Sequence, residues 1–189
     1  SSDEVYSFPS LNPNLNFGQI IPGRNNGLGR GTGLIDTYSF IKMLEAVELI
    51  NTSKAMSKTV KGELKSWFAE FTEWIITSKV GIEEDEALNN HGLAYDVQLA
   101  VFAQFAGNYA LTDKVLSNFA ERRLFPQIEP DGSQPLELER TTAFGYTVFN
   151  ITHMLDMSAL GVKRGIDIYH QASPDGRSIT AALKFIIPY

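Results

Sequence analysis

The stretch NNHGLAYDVQ, residues 89–98, gathers two side-chain amides, an imidazole and a phenol at a point where an apolar helical pattern begins. The whole chain has only three histidines, so the position of His91 carries information. Asn89 or Asn90 can cap the helix, because a short amide side chain accepts from the free N–H groups of a first turn. Tyr95 lies four residues on and shares a helical face with His91. An imidazole in this setting can move a proton or meet an anion, or it can be an ordinary structural residue. No HExxH pattern and no other ligand at helical spacing accompanies it, so a metal site is not supported.

A second polar group lies in ELERTTAFGYTVFNITHMLDM, residues 137–157. Arg140 and Tyr146 fall in its first half, and Asn150 and His153 continue the stripe below Tyr146. A spacing of six does not put Arg140 and Tyr146 on one strict helical face. They address one site only if Arg140 sits at the helix start and reaches across. Otherwise Tyr146 is an amphipathic core residue and Arg140 pairs with a nearby glutamate. A third candidate is the glycine-rich GRNNGLGRGTG, residues 23–33, where Arg24 or Arg30 would meet an anion. It has neither a P-loop pattern nor a preceding strand, so a plain surface loop is the competing reading.

The elements that must position these residues read as helices. Residues 1–34 are irregular, with Pro9, Pro13 and Pro22. Apolar residues at helical period then run from Leu34 to Ile50 and from about Lys58 to Ser78. GIEEDEALNN, residues 81–90, reads as an acidic surface loop. Further helices are expected at about 93–107, 112–123, 140–160 and 177–186, with one short extended piece around Phe125–Ile128. Turns are explicit at Gly107-Asn108, Pro130-Asp131-Gly132 and Pro174-Asp175-Gly176. Six helices make three antiparallel hairpins, an all-α single domain over residues 1–189.

Composition narrows the function classes. The chain has 189 residues with 43% hydrophobic content, enough for one sizeable core. A net charge of −6 argues against a nucleic-acid partner, although a local Arg or Lys cluster still admits an anionic substrate. The absence of cysteine removes disulfide and thiolate chemistry. No apolar run is long enough for a membrane span. Asn51 and Asn150 open formal glycosylation sequons, which imply a surface position if they are used.

Taken together and in order, LNPNLNFGQIIPGR, GRGTGLIDT, NNHGLAYDVQLAVFAQFAG, PDGSQPLELERTTAFGYTVFN and SPDGRSITAALKFIIPY resemble the alginate lyase superfamily of polysaccharide lyases, closest to its glucuronan lyase branch. The resemblance spans about Leu11 to Tyr189. It implies an (α/α) toroid that degrades a 4-linked polyuronate, glucuronan or polymannuronate, by syn β-elimination. It implies catalytic roles for His91, Arg140 and Tyr146 and substrate-binding roles for Asn90, Tyr95, Arg30 and Asn150. In the better-known alginate lyases the tyrosine falls one turn further on, where this chain has Phe149.

On that reading, Asn90, His91 and Arg140 meet the uronate carboxylate and stabilise the enediolate formed when the C5 proton leaves. Tyr146, beside such cationic neighbours, takes that proton and returns one to the departing O4. One residue does both only when proton and leaving oxygen lie on one face, as in glucuronate and mannuronate but not guluronate. No metal or organic cofactor is needed. A different class of reading keeps the fold as a catalytically silent carbohydrate-binding or toxin-like protein.

The family's catalytic domain is longer than this chain, and three hairpins make about half of a toroid. The resemblance therefore implies an incomplete barrel: either a shortened relative or, the reading favoured here, the C-terminal part of a lyase domain, with a second chain from the N-terminal part of the same precursor as partner. The stripe Trp67, Phe68, Phe71 and Trp74 is a candidate for the uncovered face, or else packs within its own hairpin. A polyuronate substrate implies a secreted protein whose leader has already been removed.

Overall fold

The computed structural model describes residues 22, 23, 26, 29–54 and 56–189. Arg24 lies outside the described residues, as does most of the segment before the first helix. A 3₁₀ helix, Gly31–Tyr38, leads into α1 (Ser39–Leu49). There follow α2 (Lys58–Thr77), α3 (Lys79–Asp85), α4 (Asn90–Ala106) and α5 (Tyr109–Phe119). A π-helical turn, Ala120–Leu124, and one α-turn, Phe125–Gln127, come next. The short α6 (Pro135–Leu138), the long α7 (Ala143–Arg164) and α8 (Ile179–Ile186) complete the order. Among the described residues there is no strand, so the all-α expectation is met.

The chain divides into two compact units. One gathers the described residues up to Glu84 with Gln98–Thr112, and the other joins Asp85–Val97 to Asp113–Tyr189. The first is held by an aromatic core. Phe40 meets Trp67, Phe68 and Phe102 at centroid distances of 6.1, 6.3 and 6.4 Å, and Phe68 lies 5.1 Å from Phe102 and 5.5 Å from Phe105. Trp67, Phe68 and Phe71 are buried. Full burial of each such ring contributes roughly 1.5–3 kcal/mol. Three of the four stripe residues are thus buried, and the half-buried Trp74 stacks on Phe71 at 5.7 Å, as the reading in which the stripe packs within its own hairpin expects.

Two sequence expectations need correction. The acidic stretch 81–90 is not a loop throughout, because α3 runs to Asp85. The Ser78 hydroxyl accepts from Gly81 N at 3.0 Å as a cap, Lys79 pairs with Glu83 at 3.7 Å, and glutamates propagate a helix readily. Density of charge had masked helical period. Nor is 125–128 an extended piece. The π turn carries the helix onward, and Pro126 sits in a first turn, where its missing N–H costs nothing. Only Ile128 is extended, at φ −118° and ψ 133°.

The second unit is built around α7, whose Ile151, Met154, Met157 and Leu160 are buried. Gly165 ends α7 in the left-handed conformation at φ 73°, with Ile166 N bonded to Gly161 O at 2.9 Å. Ser178 caps α8 by accepting from Ala181 N at 3.1 Å. Gly132 makes the approach of α8 possible: its φ is 89°, and a Cβ there would lie 2.1 Å from Ala181 O. No described helix is long and apolar enough to cross a membrane.

Candidate active site

In the second unit, Asn89, Asn90 and His91 stand at the N-terminal end of α4, and Arg140, Tyr146, Asn150 and His153 lie in or just before α7. Asn89 caps the helix, its Oδ1 accepting from His91 N at 3.2 Å. The preceding N–H, that of Asn90, is satisfied from a distant segment. Glu137 on α6 accepts Asn90 N at 2.7 Å through one carboxylate oxygen and Asn90 Nδ2 at 2.8 Å through the other. Both residues are almost wholly buried, at 1% exposure each. The first-turn donors that every helix leaves open are therefore used to fix Asn90 and His91 in place.

The same short segment positions the arginine. Arg140 N donates to Glu137 O at 3.2 Å, and the Arg140 guanidinium lies 4.2 Å above the centroid of the Tyr146 ring. Arg140 precedes α7 and reaches across to it, the geometry that a spacing of six requires. Arg140, Tyr146 and His91 are all half-buried and so open to a ligand.

Beneath them runs an amide network. Gln127 Nε2 donates to Asn89 O at 3.2 Å, while Asn150 Nδ2 donates to Gln127 Oε1 at 3.0 Å and to Gln134 Oε1 at 2.8 Å. This ties the start of α4 to α7. Asn150 is fully buried, so its sequon is not a surface site. One turn below, His153 is also fully buried, and the Phe149 ring meets it edge-on at 4.2 Å. Burial, with the neighbouring charge of His91 second, holds the His153 imidazole down at about 3, so it stays neutral.

Tyr95 and Arg30 have surroundings of their own. Tyr95 follows His91 by four residues but is 4% exposed. Burial, and then the charges of Asp85 and Asp96, push its phenol far up, so it holds its proton at any working pH. Arg30 belongs to the other unit, where its carbonyl accepts from Gly33 N at 3.0 Å.

Beside Tyr95 is a charge cluster that anchors the α3–α4 connection. Arg123 binds Asp96 through Nε at 3.0 Å and Nη2 at 3.1 Å, Asp85 Oδ1 at 2.7 Å, Asp85 O at 2.9 Å and Ala87 O at 3.2 Å. Gly92 leaves room for it: a Cβ there would sit 2.0 Å from Ala87 O and 2.6 Å from Arg123 Nη1.

Sequence reasoning missed Glu137, Gln127, Gln134 and Arg123. Each has a partner 16 or more residues away, and no local spacing signals a carboxylate that caps someone else's helix. Among the described residues no group of three or more His, Asp or Glu is placed to hold a metal ion.

The start of α4 thus carries an imidazole and an amide, and the Glu137 segment bonded to it carries a cation that lies over a phenol. This arrangement can bind a carboxylate and move a proton beside it. A family model described as alginate lyase matches residues 6–189. The chain is also similar to a crystal structure of an alginate lyase from Bacteroides ovatus, at 57% identity and a TM-score of 0.92. That match covers 95% of this chain and 47% of the other, so this chain spans about half the length of the protein it matches. The all-α, toroid-type fold expected from the sequence agrees with the match. No curated protein matches the chain.

Proposed function

The chain belongs to the alginate lyase family, and from that premise we propose that it cleaves a 4-linked polyuronate, glucuronan or polymannuronate, by syn β-elimination. The observation that carries the reading is the run of contacts from Asn90 through Glu137 and Arg140 to Tyr146. It links four residues from three separate segments at one helix start, with His91 beside Asn90 in the chain.

In this reading the uronate carboxylate lies against Arg140 and His91, with Asn90 facing the sugar beside it. Their charge and hydrogen bonds stabilise the enediolate that forms as the C5 proton leaves. Tyr146 accepts that proton. The C5–H electrons become the C4–C5 double bond, the C4–O4 bond breaks, and a proton from Tyr146 reaches O4. The Arg140 guanidinium holds the Tyr146 ring in position for both transfers. Asn150, locked between Gln127 and Gln134, supports the site from below rather than from the substrate side. A polysaccharide substrate favours a secreted protein.

The test is ultraviolet absorbance of the unsaturated uronate during incubation with glucuronan, polymannuronate and polyguluronate. Cleavage of either of the first two supports the proposal, and a clear preference for polyguluronate overturns the single-tyrosine mechanism. Binding without absorbance change favours the catalytically silent carbohydrate-binding reading. The second chain expected as partner is part of the same proposal, since the Bacteroides ovatus lyase is about twice as long. Intact-mass measurement of the native species decides it.

A further inference from the structure

We infer that Glu137 is a positioning residue, which sets the end-for-end orientation of the Asn90 side-chain amide; the inference rests on the lyase reading above. Glu137 takes both the main-chain N–H and the Nδ2 group of Asn90, one on each carboxylate oxygen. Both Glu137 carboxyl oxygens act as acceptors in these contacts. Of the two ends of the Asn90 amide, only the NH2 end can therefore face it. The carbonyl end, Oδ1, is then turned away from Glu137, and it is buried with no hydrogen-bond partner in the protein.

A buried acceptor left open beside the residues of a proposed active site calls for a donor from outside the chain. The chemistry that fits is a ring hydroxyl of the bound uronate. Because the same carboxylate holds the Asn90 main chain, the amide can neither rotate nor drift along the helix axis. Glu137 also carries the backbone contact to Arg140 at 3.2 Å. One buried side chain thus sets the pose of Asn90 while its own main chain places the arginine.

The deciding variant is Glu137→Gln in the full-length protein. Glutamine keeps the size and both contacts, with Oε1 accepting the Asn90 main-chain N–H and Nε2 facing the side-chain amide. Nε2 can only donate, so the Asn90 amide must turn over and present its NH2 end where Oδ1 was. Thermal midpoint should stay within about 2 °C of wild type. The kcat on the cleaved polyuronate should fall by about 100-fold, with KM changing less than about threefold. Glu137→Asp is the companion variant. It remains acceptor-only on a shorter arm, so it should be less stable than Glu137→Gln yet more active.

A merely structural cap predicts the opposite order, with activity following stability. A Glu137→Gln kcat within about threefold of wild type, or Glu137→Asp less active than Glu137→Gln, overturns the positioning role and leaves the lyase reading standing. Wild-type protein that cleaves none of the three polymers overturns the lyase reading, and the positioning role falls with it.

Discussion

Replacing Arg123 by leucine tests how the start of α4 is held. Arg123 is 5% exposed at its side chain and Asp96 is 1% exposed. Removing one member of a buried pair costs about 3–5 kcal/mol, because the other charge is left without compensation. Two main-chain carbonyls, Asp85 O and Ala87 O, also lose a donor, at roughly 1 kcal/mol each. Arg122 lies 3.2 Å from Asp96 Oδ1 and recovers part of the loss. The net expectation for Arg123→Leu is a loss of about 4 kcal/mol, read as a shift in the urea midpoint.

The pH dependence supplies an independent sign. Burial pushes the Asp96 carboxyl up, against the hydrogen bond and charge of Arg123 and the charge of Arg122. Without Arg123 the carboxyl rises further. An acid whose folded value lies above its unfolded one gains stability from protonation, and that gain is lost as pH rises through the folded value. The penalty of Arg123→Leu should therefore be larger at about pH 8 than at about pH 5. Changing Asp96 to leucine as well should return about 2 kcal/mol, since an apolar pair is tolerated where a lone charge is not. A single-variant loss below about 1.5 kcal/mol, or a double variant less stable than the single, would refute this account.

Tyr146→Phe should lower turnover by at least about 100-fold with no change in helical circular dichroism, since the hydroxyl of this half-buried residue is assigned to proton transfer and not to packing. Turnover near wild type would pass the base to another residue. His153 carries a separate pH signature. Its folded value, about 3 against an ordinary 6.5, is depressed, so its contribution is present above 6.5 and is lost as pH falls toward 3. Wild-type stability should fall by up to about 1.4 kcal/mol per pH unit in that window from this group alone, and His153→Leu should flatten the profile. Parallel profiles for the two proteins would show that His153 is not the source.

The helices were legible because their period is a local property. Leu64, Trp67, Phe68, Phe71 and Ile75 recur on one face of α2, and all five are buried. Where local signals conflicted, the sequence misled. The acid-rich turn at Glu83 and Glu84 reads as solvated loop, yet its glutamates have good helix propensity and Ser78 caps them. In the site, His91, Arg140 and Tyr146 stood out by residue type and by family resemblance, and the structure gathers their segments. Tyr95 shows the limit of that logic. A four-residue spacing places it on the face of His91 by period alone. The Asp85–Asp96–Arg122–Arg123 cluster, in which Asp96 and Arg123 are buried, occupies its side of the helix, and this cluster forms only after residues far apart in sequence have met.

Glu137 marks the same boundary from the other direction. Within ELER it reads as one more surface glutamate, and its partner is 47 residues earlier. Nothing in the spacing announces that its carboxylate will cap α4 and hold Asn90. Residue type tells which groups can accept charge or move a proton, and helical period tells which of them ride together. The orientation of an amide, which end faces a ligand, is decided by what lies behind it. In this chain what lies behind Asn90 is an acceptor that cannot donate. The chemistry of the candidate site is therefore written in two layers: the visible His91, Arg140 and Tyr146, and the buried Glu137, Gln127 and Gln134 that determine how they are presented.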